Sequence, residues 1–354
     1  MTKHGGDVYT KYYMPYSDRL YDFSSNINPL GMHEEIKKTI IDNIDEYEKY
    51  PDSQVRELKE KIALRYGLAS ENIFCGNGAA EVIYRLCQAV RPKVALLLSP
   101  TFSEYEEALG VVDCEIRRYN LSEKNNFKLD EKFLSEINSE VDIIFICNPN
   151  NPTGELTTGE LLRRIIAKAR EKSAFVVVDE CFMDFVSGNE SYSVVDEIKN
   201  SSNLFILKAF TKMYSMAGIR LGYALSSNVS VVMRLHEVGQ DWNVSTVAQK
   251  CGICAMNLVH IEKETREFVK TERDFLYLEL DRLKVKCYIS YANYILFYHE
   301  KENLARRLLE YGILIRDCSN YYNLGKNYYR IAVRTHDENV YLIKNLERVL
   351  GQMG

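Results

Sequence analysis

From about residue 72 the chain alternates two patterns. Short, almost wholly apolar runs are separated by stretches whose apolar residues recur every three or four positions. The runs at 72–75, 94–98, 141–147, 174–178, 204–207 and 221–225 predict strands, and 82–90, 103–109 and 159–172 predict helices between them. Continuous apolar strands separated by amphipathic helices describe a mostly parallel sheet covered on both faces. Such sheets bind ligands beyond the carboxyl ends of their strands. The polar pieces GNGAAE (76–81), SPTFSEY (99–105), NPNNPTG (148–154), DECF (179–182) and FTK (210–212) all follow predicted strands, so they are expected to converge.

The flanks read differently. Gly5, Gly6, Pro29 and Gly31, with the turn formers Asn26 and Asn28, make 1–33 an arm and loop. A helical period follows at Ile36, Ile40, Ile41 and Ile44. Asp52 or Ser53 can cap a second helix, with Val55, Leu58, Ile62 and Leu64 on its stripe and Gly67 at its end. After residue 245 a long charged helix is expected at 260–284, its stripe carrying Ile261, Phe268, Phe275, Leu276, Leu280 and Leu283. Short strands near 287–298, 313–316 and 328–334 and helices near 302–311 and 338–350 complete the chain. The expected division is an arm at 1–33, a large α/β domain at 34–244 and a small α+β domain at 245–354.

Composition narrows the function. Of 354 residues, 46% are hydrophobic and 27% charged, ordinary values for a two-domain globular chain. A net charge of −5 argues against nucleic-acid binding. No apolar run approaches the ~20 residues that span a bilayer. The first twenty residues lack the apolar centre of a signal peptide, so a cytoplasmic protein is expected. The nine cysteines are scattered, and Cys75, Cys87, Cys147 and Cys181 lie in apolar segments, as buried free thiols do. Cys251 and Cys254 form one CxxC in a helical-looking stretch, and the six histidines are dispersed, so no metal site is expected.

The chemistry centres on Lys212, just past the apolar run 204–207, with Gly218 and Arg220 following. A buried lysine beside other cations can form a Schiff base with an aldehyde cofactor. An arginine fork can hold that cofactor's phosphate. The ordered set GNGAAE, NPNNPTG, VVDE (177–180) and FTKMYSMAGIRLG (210–222) resembles the fold-type-I pyridoxal-phosphate enzymes of the class-II aminotransferase branch. The similarity runs over nearly the whole chain. It implies an α/β fold with a mainly parallel central sheet flanked by helices, plus a smaller α+β domain.

The resemblance also implies roles. Lys212 would carry the cofactor, Asp179 would pair with its pyridine nitrogen and Asn151 with its ring hydroxyl. Gly78, Ala79 and Ala80, at a helix start, would hold the phosphate with Thr211 and Arg220. Tyr105 would stack on the ring, and Tyr50 would reach the phosphate of the neighbouring subunit in a homodimer with shared active sites. Taken singly, Asp179 is also a helix cap, Asn151 a turn former and Tyr105 a core aromatic. Ala209 departs from the pattern, which has Ser or Thr there.

Finer similarity is to the threonine-phosphate decarboxylases of cobalamin synthesis, with histidinol-phosphate aminotransferases as the alternative. It rests on HGGD (4–7), DFSSNINPLG (22–31), Phe182 where the aminotransferases usually carry Tyr, LIRDCSNY (314–321) and YYRIAVR (328–334). By this resemblance His4, Gly5, Asn26, Asn151, Arg316 and Arg330 bind a small phosphorylated amino acid. The expected reaction is decarboxylation of O-phosphothreonine or O-phosphoserine to an amino-alcohol phosphate. Transamination of histidinol phosphate is the alternative.

Overall fold

A computed structural model describes residues 4–9 and 19–351; the rest of the expected arm, 1–3 and 10–18, lies outside them. Seven strands form the main sheet. Their order is Ile73–Gly76, Gly222–Leu225, Leu204–Ala209, Phe175–Asp179, Ile143–Cys147, Val94–Ser99 and Glu115–Asn120. Neighbours pair in parallel except Gly222–Leu225, which is antiparallel to both strands beside it. The inner strands are buried along their length, with Ile143–Cys147 and Leu204–Ala209 buried at every position. Apolar side chains on both faces need helices on both faces, and the helices Gly78–Val90 and Gly159–Glu171 bury their apolar stripes there.

The strand Glu115–Asn120, EIRRYN, is absent from the sequence reading. It lies at the sheet edge, where half-solvated positions need no apolar run. The helix Gly78–Val90 starts four residues before the predicted 82, because Gly78 and the two alanines join it. The helix Val229–Glu237 is also unpredicted, and the CxxC lies in the helix Thr246–Met256. Near residue 55, Asp52 accepts from the amides of Gln54 and Arg56 at 3.1 and 2.8 Å, and Gly67 ends the helix Arg56–Tyr66 in the left-handed region. Three residues assigned to apolar stripes face outward instead: Ile41, Ile44 and Leu64 are 69%, 65% and 80% exposed.

A second sheet is antiparallel throughout, in the order Arg316–Asp317, Tyr328–Ala332, Tyr294–Tyr298, Lys286–Cys287. The helices Val259–Arg282 and His336–Gly351 pack on each other beside it. Tyr21–Asp22, near the chain start, pairs in parallel with Ile313–Leu314. That pairing carries residues 23–28 to the carboxyl edge of the main sheet. There Asn28 donates to Met213 O at 2.7 Å and its amide N–H to Lys212 O at 3.1 Å. No helix among the described residues is long and apolar enough to cross a membrane.

Candidate active site

The loops at the carboxyl ends of the strands converge on a cavity of about 340 Å³. Its wall includes Lys212, Asp179, Asn151, Thr211, Arg220, Ala79 and Ala80 from the main sheet, Arg316 and Arg330 from the second sheet, and His4, Gly5 and Asn26 from the first segments.

Lys212 lies in the single helical turn Phe210–Met213 that follows the strand Leu204–Ala209. Burial pulls its pKa from 10.5 down to about 8; Arg330 and Arg220 add to the shift, and Cys181 and Asp179 oppose it. An amine near pKa 8 is partly neutral at physiological pH and so is a nucleophile. Its Nζ stands 5.8 Å from the centre of the Phe182 ring. The segment's other lysine, Lys208, is ion-paired with Asp184 at 2.9 Å and Glu180 at 3.6 Å and is not in the cavity wall. Cys147 and Cys181 do line the cavity, but burial pushes both thiols up, so they stay protonated and unreactive.

Asp179 ends the strand Phe175–Asp179 with both oxygens engaged. Oδ1 accepts from the Cys181 amide at 3.0 Å and Oδ2 from the Tyr105 hydroxyl at 2.6 Å. Here the sequence reading of Tyr105 is corrected. Tyr105 is wholly buried, stacks on Phe145 at 4.9 Å and is not in the cavity wall. The aromatic of this loop that does line the wall is Phe102, three residues earlier. The reason is local: the helix Glu104–Gly110 begins between them, so position 105 turns under the sheet while position 102 stays in the loop above it.

The helix Gly78–Val90 points its open amino end at the same cavity through Ala79 and Ala80, where unpaired N–H groups and the helix dipole favour an anion. Gly78 itself is behind the wall at φ +77, and a Cβ there would come 2.4 Å from Arg220 Nη2. Glycine is required for that arginine to reach the helix start. Ala209 is in the wall and has no hydroxyl to offer. Tyr50 is remote from this cavity: it is 83% exposed and packs on Trp242 at 4.9 Å.

Arg316 and Arg330 are register partners on adjacent antiparallel strands, and both are buried. Like charges directly opposite each other destabilise a sheet unless something anionic or polar joins them. Asn151 Oδ1 accepts from Arg330 Nη1, and Ser24 O accepts from its Nη2 at 2.8 Å. Arg316 donates to Asp317 O at 2.6 Å and Asn320 Oδ1 at 2.8 Å. Arg330 Nε and Asn26 Oδ1 are buried without a hydrogen-bond partner, and both residues are in the cavity wall. Unpartnered buried polar atoms are uncommon in folded proteins, and these two belong to residues of the wall. His4 reaches the wall from the amino end, its Nε2 2.7 Å from Glu104 Oε1.

Sequence reasoning missed Ser24, Ser25, Phe102, Glu104 and Tyr321 as wall residues. Ser24, Ser25 and Tyr321 lie inside pieces quoted for the resemblance, and Phe102 and Glu104 inside the loop SPTFSEY, so their place in the chain was a signal although their direction was not. His4, Glu104 and Glu107 also bring possible ligand atoms within 4.8 Å of one another, a grouping that says nothing by itself of a metal. A hundred residues of chain separate His4 from the other two, so no spacing pattern could reveal them.

A lysine of lowered pKa, a carboxyl group fixed at a strand end, the Asn151 amide, the helix start at Ala79 and Ala80, and Thr211 and Arg220 in one cavity suit pyridoxal phosphate, which offers an aldehyde, a ring nitrogen, a ring hydroxyl and a phosphate. Known proteins agree. The chain is 34% identical over 336 residues to a threonine-phosphate decarboxylase of Salmonella typhimurium, covering 94% of this chain and 92% of that one. It is 31% identical over 345 residues to a histidinol-phosphate aminotransferase of Methanosphaera stadtmanae, covering 94% and 91%. The crystal structure of the histidinol-phosphate aminotransferase from Clostridium acetobutylicum matches with a TM-score of 0.87 at 30% identity, over 94% of this chain and 99% of that one. The family model for aminotransferase class I and II matches residues 18–346, and this chain belongs to that family of pyridoxal-phosphate enzymes.

Proposed function

We propose that this enzyme decarboxylates a small phosphorylated amino acid, O-phosphothreonine or O-phosphoserine, to an amino-alcohol phosphate. The observation that carries the reading is the buried Arg316–Arg330 pair in the cavity wall. Two guanidinium forks side by side suit a substrate with two anionic ends, a carboxylate and a phosphate. The likeness to the decarboxylase of Salmonella typhimurium supports it. So does Phe182, whose ring lies in the wall without a hydroxyl.

In this reading Lys212 holds the cofactor aldehyde, Asp179 faces the pyridine nitrogen, Asn151 the ring hydroxyl and Phe102 the ring face. Ala79, Ala80, Thr211 and Arg220 hold the cofactor phosphate, with Gly78 giving Arg220 its approach. When bound, pyridoxal phosphate supplies an electron sink that makes a bond perpendicular to its ring breakable. Which bond stands there is decided by the protein. Arg330, Arg316, Asn26, Gly5 and His4 would fix the two anionic ends and so decide which bond of the substrate is exposed to that chemistry. Lys212 Nζ, free to hold a proton near neutral pH, then donates it to the carbon that lost carbon dioxide.

The chain is divided in this proposal as the sequence suggests: an arm at 1–33, a large domain at 34–244 and a small domain at 245–354. The working form is a homodimer. Ile41, Ile44 and Leu64 are exposed on elements that pack on the helix Thr246–Met256, Tyr50 and Trp242 are exposed and pack on each other, and a second copy would cover them. Tyr50 then reaches the partner's cofactor phosphate.

The test supplies O-phosphothreonine, O-phosphoserine and, with 2-oxoglutarate, histidinol phosphate. Carbon dioxide released from a phosphoamino acid without any keto acid is the expected result. Glutamate formed from histidinol phosphate, with no carbon dioxide from the other two, overturns it in favour of transamination.

A further inference from the structure

A carboxyl group is out of place in a cavity built for an anionic substrate, yet Glu104 lines it. Its side chain is only 16% exposed, and it repels any phosphate nearby unless something occupies it. What occupies it is His4: Glu104 Oε1 lies 2.7 Å from Nε2, the usual spacing of a charge-assisted hydrogen bond. The imidazole also leans on Phe102, with ring centres 5.9 Å apart. The position of Glu104 is rigid, at the first residue of the helix Glu104–Gly110 behind the strand Val94–Ser99.

The other side of the arm is held by residues 22–24. The Gly6 amide donates to Ser24 Oγ at 2.7 Å, and Ser24 Oγ donates to Asp22 Oδ1 at 2.6 Å. Gly5 crosses so near that a Cβ would lie 2.1 Å from Ser24 O, the same carbonyl that accepts from Arg330. The segment His4–Gly6 is thus fastened to Arg330's neighbour at one end and to Glu104 at the other, across the mouth of the cavity.

We propose that Glu104 is a positioning residue: it holds the His4 ring at the cavity wall, so that the arm closes on the phosphate end of the substrate. The proposal rests on the functional reading above only in taking the substrate to be a phosphorylated amine.

The experiment is a double-mutant cycle on the cofactor-loaded enzyme with E104A, H4A and H4A/E104A, plus E104Q. KM and kcat are measured with whichever of O-phosphothreonine, O-phosphoserine or histidinol phosphate the wild type turns over. The dissociation constant of inorganic phosphate is read from the cofactor absorbance. Loss of one charge-assisted hydrogen bond is expected to raise KM and the phosphate constant about tenfold in E104A, with kcat much less affected. E104Q keeps an acceptor oxygen within reach of Nε2 and is expected to recover most of that loss. H4A/E104A is expected to be no worse than H4A alone. An unchanged KM and phosphate constant in E104A, or losses that add fully in the double variant, overturn the proposal. If the wild type turns over none of the three substrates, the functional reading fails, and the phosphate constants alone decide the role of Glu104.

Discussion

Lys212 carries its charge at a cost to the fold, and that cost can be measured. In cofactor-free protein, prepared with hydroxylamine, its pKa of about 8 against the ordinary 10.5 means that the folded state disfavours the ammonium form. Below pH 8 both folded and unfolded chains bind the proton, and the whole penalty is present. Between pH 8 and 10.5 the unfolded chain keeps the proton while the folded chain has released it, so stability rises with pH through that window. The gap between the two pKa values corresponds to about 3 kcal/mol. Lys212→Met keeps an unbranched side chain, one atom shorter, and removes the charge. The variant is therefore expected to be more stable than wild type at pH 7 by an amount on the order of 3 kcal/mol, and the advantage is expected to shrink towards pH 10.5. Thermal unfolding of the two cofactor-free proteins, followed by circular dichroism at pH 7, 8.5 and 10, gives the comparison; groups common to both cancel in the difference. A variant less stable than wild type at pH 7, or an advantage that grows with pH, would refute the view that burial beside Arg330 and Arg220 is what primes this lysine.

Further outcomes follow from the same geometry. Tyr105→Phe removes a buried donor from Asp179, so the Kd for pyridoxal phosphate, by absorbance titration, is expected to rise about tenfold; an unchanged Kd means Asp179 does not need that bond. Ala209→Ser places a hydroxyl in the cavity wall and is expected to tighten the cofactor by about 1 kcal/mol, roughly fivefold, in the same titration. No gain would show that Ala209 lies out of reach of the cofactor phosphate. Leu64→Glu sets a charge on the exposed face proposed to be covered in the dimer; sedimentation is expected to show at least a tenfold weaker dimer, and an unaltered profile moves the interface elsewhere.

Much of this architecture was legible because a buried parallel strand has to be apolar throughout. Ile143–Cys147 and Leu204–Ala209 announce themselves, and with them the loops at their ends. Glu115–Asn120 does not, since an edge strand tolerates EIRRYN. Helical periodicity located the elements near 41 and 64 but could not say that Ile41 and Leu64 face outward, because an apolar residue fits a helical period equally well whether its neighbour is a core or solvent. Tyr105 and Phe102 show a finer limit. Both are aromatic, three residues apart, and only the start of a helix between them decides which one enters the cavity. His4 and Glu104 mark the outer limit: a contact between two polar residues so far apart in the chain leaves no local pattern at all.

The parallel pairing of Tyr21–Asp22 with Ile313–Leu314 has a consequence for how the molecule is made. A strand near the start of the chain must wait for a partner near its end. At roughly 5–20 residues per second, the ribosome needs on the order of tens of seconds to supply that partner. During that interval the main sheet, complete by residue 225, has all its strands and Lys212, but neither Arg316 nor Arg330 has been synthesised. The emerging chain therefore carries the main-sheet part of the cavity wall well before the two arginines of the second sheet. Tyr21–Asp22 has no strand partner until residues 313–314 arrive, so any truncation before residue 313 leaves the amino end unpaired there.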